Sequence, residues 1–259
     1  MGGPGKTVLI TGATRGIGWE FAKLFAARGY NLFLTGRDES KLLQFRKEHG
    51  SDLGITTLAA DLSAPSGVVA VLDAVRKSRA PIDILVNNAG LGDRHAFADS
   101  DLEKQRAMLQ VNISSLVGLT HGLLPDMVAR KTGRILNVAS TAAFLPGPYM
   151  SIYYASKAFV LSFSHALSVE LRGSGVSVSV LCPGATKTDF EKTAGTGGSR
   201  LVRSGTMEAR AVAEAGVRGL LAGRRTIVPG FGNKVVAIAP HLAPRSFLAR
   251  MAGIFNSDA

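Results

Sequence analysis

The sequence predicts a doubly wound α/β fold of Rossmann type: a parallel sheet of about seven strands with helices on both faces. Three observations carry this. Short apolar or β-branched runs recur at strand length, segments with helical periodicity separate them, and a glycine-rich turn follows the first run directly.

The runs are TVLIT (7–11), NLFLT (31–35), ITTLAA (55–60), IDILVN (82–87), RILNVA (134–139), VSVSVL (176–181) and RTIVP (225–229). Between the first two lies GWEFAKLFAARGY, where Phe21, Leu24 and Phe25 follow i, i+3, i+4 spacing and Gly29 offers a C-terminal stop. Alternation of this kind implies parallel strands joined by crossover helices. No Pro/Ser-rich linker divides the chain, so residues 1–259 read as one dinucleotide-binding domain. Within it, 189–206 is Gly-rich and expected to be a mobile substrate loop, and 231–259 forms an apolar and basic C-terminal extension.

TGATRGIG places glycines at 12, 16 and 18 between a strand and a helix. Glycine allows a tight turn and close approach of a pyrophosphate, while the helix N-terminus supplies free N–H groups and the positive end of a dipole. The spacing is G-x-x-x-G-x-G, which differs from the common G-x-G-x-x-G. At the end of the second strand Gly36 occupies the place where an acidic residue would read the ribose hydroxyls of NAD, and Arg37 follows it. The Arg37 guanidinium, aided by Arg15 inside the turn, suits a 2′-phosphate, so NADP(H) is the expected cofactor. The competing reading makes Arg37 a solvated loop residue and gives recognition to Asp38 or Glu39.

YYASK (153–157) sets Tyr153 and Lys157 at i, i+4, on one helix face. A cation beside a phenol favours the phenolate, which would let Tyr153 exchange a proton with a substrate oxygen near neutral pH. Ser140 ends the run RILNVAS, at the sheet edge where open α/β sheets bind ligands, and a thirteen-residue step to Tyr153 lets the two hydroxyls meet.

With these motifs in order, the chain resembles the short-chain dehydrogenase/reductase family over nearly all its length, from Thr11 to about Gly230. TGATRGIG is similar to the family's cofactor turn, DLS (61–63) to its adenine-contacting segment, and NNAG (87–90) to its fourth-strand signature. Asn112 in LQVNISS matches its helix asparagine, Ser140 and YYASK its active site, and PGATKT (183–188) its nicotinamide-side loop. The resemblance implies cofactor contacts from Gly12, Thr14, Arg15, Gly16, Ile17, Gly18, Arg37, Asp61, Leu62, Asn88, Ala89, Gly90, Tyr153, Lys157, Pro183, Gly184, Thr186 and Thr188. It implies a catalytic set of Asn112, Ser140, Tyr153 and Lys157. Lys157 would also bind the nicotinamide ribose, Asn112 would hold a relay water, and Thr188 would bond the carboxamide. The implied activity is reduction of a carbonyl to an alcohol, or the reverse, in a dimer or tetramer assembled through helices near 102–130 and 153–172. The alternative is a catalytically silent NADP(H)-binding sensor or scaffold, against which the intact Asn112, Ser140, Tyr153 and Lys157 set argues.

Composition narrows the rest. With 46% hydrophobic and 19% charged residues the chain is ordinary globular material. A single cysteine, Cys182, permits no intrachain disulfide and points to a reducing, cytoplasmic setting. The opening MGGPGKTVLITG is too short and polar for a signal sequence, and no run reaches the ~18 apolar residues expected of a membrane span. His121, His165 and His241 are far apart and suggest no metal site, while Arg94 and His95 read as solvated loop residues. Net charge is +11, and residues 192–259 carry ten Lys/Arg against three Asp/Glu, with no compact basic run that would read as a nucleic-acid surface. The C-terminal mixture of apolar residues with Lys234, Arg245 and Arg250 allows membrane contact, but a pocket wall or subunit interface is the favoured reading.

Overall fold

The computed structural model describes residues 5–50, 53–196, 205–241 and 243–257. Strands β1 (Thr7–Thr11), β2 (Asn31–Gly36), β3 (Ile55–Ala59), β4 (Ile82–Asn87), β5 (Gly133–Val138) and β6 (Val176–Leu181) lie at the seven expected runs, together with a last strand, Thr226–Ile227. They form one parallel sheet in the order β3-β2-β1-β4-β5-β6 followed by the strand at 226–227. A second, two-residue parallel pair joins Thr186–Lys187 to Met207–Glu208.

The strand sequences explain the order. β1 is buried along its whole length, as a central strand covered on both faces must be, whereas β3 is partly exposed throughout and sits at the edge. One face of the sheet is covered by α1 (Gly16–Ala26), α2 (Glu39–His49) and the helix Ala209–Leu221, whose Phe21, Phe25, Leu42, Phe45, Val212, Val217 and Leu220 pack on Val8, Ile10 and Leu34. The other face is covered by α3 (Pro65–Ser78), a long helical run (102–129) and α6 (Ser151–Glu170). There Val71, Val75, Leu119, Leu123, Met127 and Leu167 pack on Leu9, Phe33, Leu85, Ile135 and Val178. β1 and β2 therefore send alternate side chains into two separate cores, Val8, Ile10, Leu32 and Leu34 into one and Leu9 and Phe33 into the other, which is why their sequences are apolar without alternation.

The long run has three parts, α4 (Leu102–Leu109), a π turn (Gln110–Ser115) and α5 (Leu116–Ala129). By length and composition it could cross a membrane, contrary to the sequence expectation that no run qualifies. It lies on the sheet instead, with Leu119, Leu123 and Met127 in the core. Sequence periodicity does not reveal the π turn, and it carries Asn112. Such bulges concentrate at functional sites because they re-aim a side chain.

Candidate active site

The carboxyl ends of β1, β2, β4 and β5 open into a cleft of about 500 Å³. The strand order reverses between β1 and β4, so the two connections leave in opposite directions and a crevice must form there.

Its floor is the glycine turn. Gly12 and Gly16 adopt φ of +66° and +55°, in the region that favours glycine. A Cβ on Gly18 would collide with the Gly12 carbonyl and the Asn88 amide, so this third glycine lets α1 start directly beneath the turn. The Asn88 amide holds the turn from the other side, donating to the carbonyls of Thr11 (2.9 Å) and Gly12 (3.2 Å). The hydroxyl of Thr11 accepts from the backbone N–H groups of Asn88 and Ala89, each at 3.0 Å. The first and fourth strand ends are thus stapled into one surface.

At one end of the cleft Arg15, Arg37 and Lys41 gather. A Cβ on Gly36 would come 2.7 Å from the Thr14 methyl, so the acidic residue that would read ribose hydroxyls does not fit at this position without displacing Thr14. The neighbouring Asp38 is occupied as the N-cap of α2: its carboxylate accepts from the Ser40 hydroxyl (2.6 Å) and the Lys41 N–H (3.1 Å). These bonds, that from Ser40 foremost, hold its pKa below the usual carboxylate range. Asp61 is engaged in a similar way, accepting from the Ser63 N–H at 2.9 Å.

At the other end Ser140, at the mouth of β5, and Tyr153, on the first turn of α6, both line the cleft. The Ser140 hydroxyl accepts from the Ala142 N–H (3.1 Å), donates to the Pro183 carbonyl (3.3 Å) and lies near enough to the phenol to favour its ionised form. Loss of water around the phenol pushes the Tyr153 pKa up to about 12, against the opposing pull of the Ser140 hydroxyl. The expectation that Lys157 would favour the phenolate is therefore not met by these groups alone, and the phenol is held protonated. Lys157 is buried, its Nζ donating to the Val138 carbonyl at 3.0 Å and lying 5.8 Å from the Tyr153 ring centre. Desolvation lowers its pKa to about 8. The Cys182 thiol is itself raised to about 12 by burial, which makes it a poor nucleophile.

Asn112 lies behind this group. Its Oδ1 accepts from the Leu91 N–H (2.8 Å), and its Nδ2 donates to the Leu91 carbonyl (2.9 Å) and to Ser156 Oγ (3.0 Å). One amide therefore ties the loop after β4 to the helix that carries Tyr153 and Lys157.

Residues 6–197 match the short chain dehydrogenase family. The chain belongs to that family. It is 38% identical over 185 residues to sulfoacetaldehyde reductase 2 of Chromohalobacter salexigens, an alignment covering 71% of this chain and 73% of the relative. A short-chain dehydrogenase from Sphingobium yanoikuyae, solved in complex with NADPH, is 33% identical with a TM-score of 0.81 and coverage of 91% and 93%. Another short chain dehydrogenase/reductase, from Burkholderia phymatum in complex with NAD, is 27% identical with a TM-score of 0.82 and coverage of 90% and 92%.

Of the residues expected to serve this short-chain dehydrogenase, all but Gly18 and Asn112 line the cleft, and those two support its wall from behind. Pro183, Gly184, Thr186 and Thr188 close one side, where the Thr188 methyl approaches the place a Gly16 Cβ would take, at 3.1 Å. Sequence reasoning missed Lys41, the stapling role of Thr11, and Phe190, whose ring lies 5.6 Å from that of Tyr153. Proximity to Arg37 and to the PGATKT run were the only signals for the first and last. Tyr149 and His95 fall in a separate small recess with Asp93, and Tyr149 adopts a φ of +65°. Arg94 is not a plain surface residue: its Nε donates to the Gly195 carbonyl at 2.7 Å and one terminal nitrogen to the Asn256 carbonyl at 3.1 Å. The rest of the expected mobile loop, 197–204, lies outside the described residues. Among the described residues no group of three His, Cys, Asp or Glu side chains forms a metal site.

Proposed function

We propose that this chain is an NADP(H)-dependent reductase that converts a carbonyl to an alcohol and, with product in excess, the reverse. The observation that carries the reading is the Tyr153 phenol at a cleft wall that Ser140 and Lys157 share, with Lys157 Nζ fixed on the Val138 carbonyl behind it. A reduced nicotinamide, when bound, supplies hydride to the carbonyl carbon. The Ser140 hydroxyl donates to the carbonyl oxygen and orients it. Tyr153 then delivers its proton to that oxygen as negative charge develops, and the phenolate left behind is stabilised by Lys157 until it is reprotonated.

The residues present fit the cofactor. Gly12, Gly16 and Gly18 leave the space a pyrophosphate needs, and Arg15, Arg37 and Lys41 provide cations at the adenosine end where Asp38 is already engaged. This favours the 2′-phosphate form, in line with the NADPH bound to the Sphingobium protein. Around Tyr153 the cleft is lined by Leu91, Ala142, Met150, Tyr154 and Phe190 together with Thr141, Glu191, Thr193 and Thr196, which suits a carbonyl compound with both apolar and polar groups. The reading includes a cytoplasmic homodimer or homotetramer. The deciding experiment is NADPH oxidation over a panel of ketones, aldehydes, ketoacyl thioesters, steroids and quinones. Turnover by wild type that disappears in Tyr153→Phe supports the reductase. No turnover of any carbonyl despite tight NADPH binding would favour a sensor.

A further inference from the structure

Seven of the sixteen large apolar side chains exposed on the described surface fall between residues 231 and 255: Phe231, Val235, Ile238, Phe247, Met251, Ile254 and Phe255. Their spacing is not random. Phe231, Val235 and Ile238 are i, i+4, i+7 on the helix Phe231–Ile238, and Phe231 is 84% exposed. Phe247, Met251, Ile254 and Phe255 are i, i+4, i+7, i+8 on the helix Arg245–Asn256. The latter helix already buries a different stripe, Leu248, Ala252 and Asn256, against the protein. It therefore carries a second apolar stripe that the fold does not use.

Charge decides what covers these stripes. Residues 215–259 contain six Lys/Arg and a single acidic residue, Asp258. Lys234, Arg245 and Arg250, on the two helices themselves, are exposed and make no ion pair with any described residue. If two copies met through this face about a twofold axis, six cations from each stretch would be brought together with only Asp258 of the same stretch to offset them. An anionic lipid surface satisfies both components, taking the aromatic and aliphatic side chains into the acyl boundary and the cations against headgroup phosphates.

We propose that the exposed faces of these two helices form an interfacial contact with bilayers that carry anionic headgroups. The helices flank the cleft rim: the first lies beside the turn Thr141–Phe144, and the second is held to Pro148 and Tyr154 through Asn256. The proposal does not depend on which carbonyl is reduced, and its test needs no substrate.

The test is flotation of the full-length protein with vesicles of phosphatidylcholine alone, and of phosphatidylcholine mixed with phosphatidylglycerol. Wild type is expected to float with the mixed vesicles, to do so far less with the neutral ones, and to be released by salt. Replacing Lys234, Arg245 and Arg250 with glutamine should weaken binding by about fivefold for each cation removed. Replacing Phe231, Phe247 and Phe255 with serine should abolish flotation while leaving NADPH binding and the circular dichroism spectrum unchanged. Absence of flotation by wild type, or equal flotation by the serine variant, would overturn the proposal. So would a serine variant that sediments as a smaller species than wild type in the absence of lipid, because the face would then join copies of the chain.

Discussion

The Tyr154 hydroxyl donates to Oδ1 of Asn256 at 3.1 Å, across 102 positions of sequence. Asn256 is 1% exposed, its Nδ2 donates to the Pro148 carbonyl at 3.0 Å, and its own carbonyl accepts from Arg94. The last residue of the C-terminal helix is thus fixed beside the residue that follows Tyr153. Asn256→Leu should leave the buried Tyr154 hydroxyl and Pro148 carbonyl without this partner, at a cost of about 1–3 kcal/mol. Urea unfolding measures the cost. Because the cofactor end of the cleft is untouched, NADPH affinity should hold while KM for bulky carbonyls shifts.

The adjacent tyrosines should separate chemistry from packing. Tyr153→Phe removes the proton donor and should lower turnover by roughly 10²–10⁴-fold with NADPH still bound. Tyr154→Phe removes only the bond to Asn256, so it should cost about 1 kcal/mol of stability and keep most of the activity. Steady-state kinetics and thermal unfolding of both variants make the comparison, and equal losses of turnover would refute the assignment of roles.

Arg37→Ala should reduce the preference for NADPH over NADH by about ten- to a hundredfold, the value of one charge-assisted contact. Since Asp38 is committed to the cap of α2 and Gly36 leaves no room for a carboxylate beside Thr14, the variant should gain no compensating affinity for NADH. Fluorescence titration with both cofactors measures the ratio, and an unchanged ratio would remove Arg37 from 2′-phosphate recognition.

The proposed homo-oligomer should assemble through the exposed apolar side chains of the helical run 102–129 and of α6. Leu102, Leu109 and Val128 are exposed along 102–129, and Phe159 and Val169 along α6, with Phe159 stacked on Phe163 at 5.8 Å. Phe159→Asp combined with Val169→Asp should convert a dimer or tetramer to smaller species in sedimentation velocity. Wild-type protein that is monomeric throughout would contradict the assembly.

The strands were legible as short apolar or β-branched runs between helical patterns, and β1, β4 and β6 fall at the residues their runs predict. The cofactor turn was legible because its glycines are required by backbone geometry at fixed spacing. Three features were not. The π turn at Asn112 leaves no mark in helical periodicity. Asn256 reaches the site only through the docking of a terminal helix, and a lone polar residue there has no local signal. The protonated state of Tyr153 depends on how far the fold excludes water from the phenol, a quantity that i, i+4 spacing to Lys157 does not contain.

Lys157 supplies the sharpest dependence on pH. Its pKa is about 8 in the fold, against an ordinary value of 10.5, because burial penalises the ammonium. At pH 7 it is charged in both folded and unfolded chains, so the full burial penalty acts on the native state. As pH rises from about 8 to 10.5 the folded protein releases this proton first, the unfolded chain still holds it, and the penalty is relieved. Cys182 acts with the opposite sign above its ordinary value of 9.0, since the fold keeps its thiol protonated up to about 12. The two contributions are separated by comparison with Lys157→Met, which removes the cation and keeps the volume. That variant should be more stable than wild type by about 1–2 kcal/mol at pH 7, less than the shift alone implies because the Val138 carbonyl loses its donor. The advantage should shrink between about pH 8 and 10.5. Carbonyl reduction, which needs the ammonium behind the developing phenolate, should fall as pH rises above about 8 and be lost in the variant at every pH. Urea unfolding and initial rates across this range test both halves, and a stability difference that stays constant with pH would show that Lys157 does not titrate in the fold as its surroundings dictate.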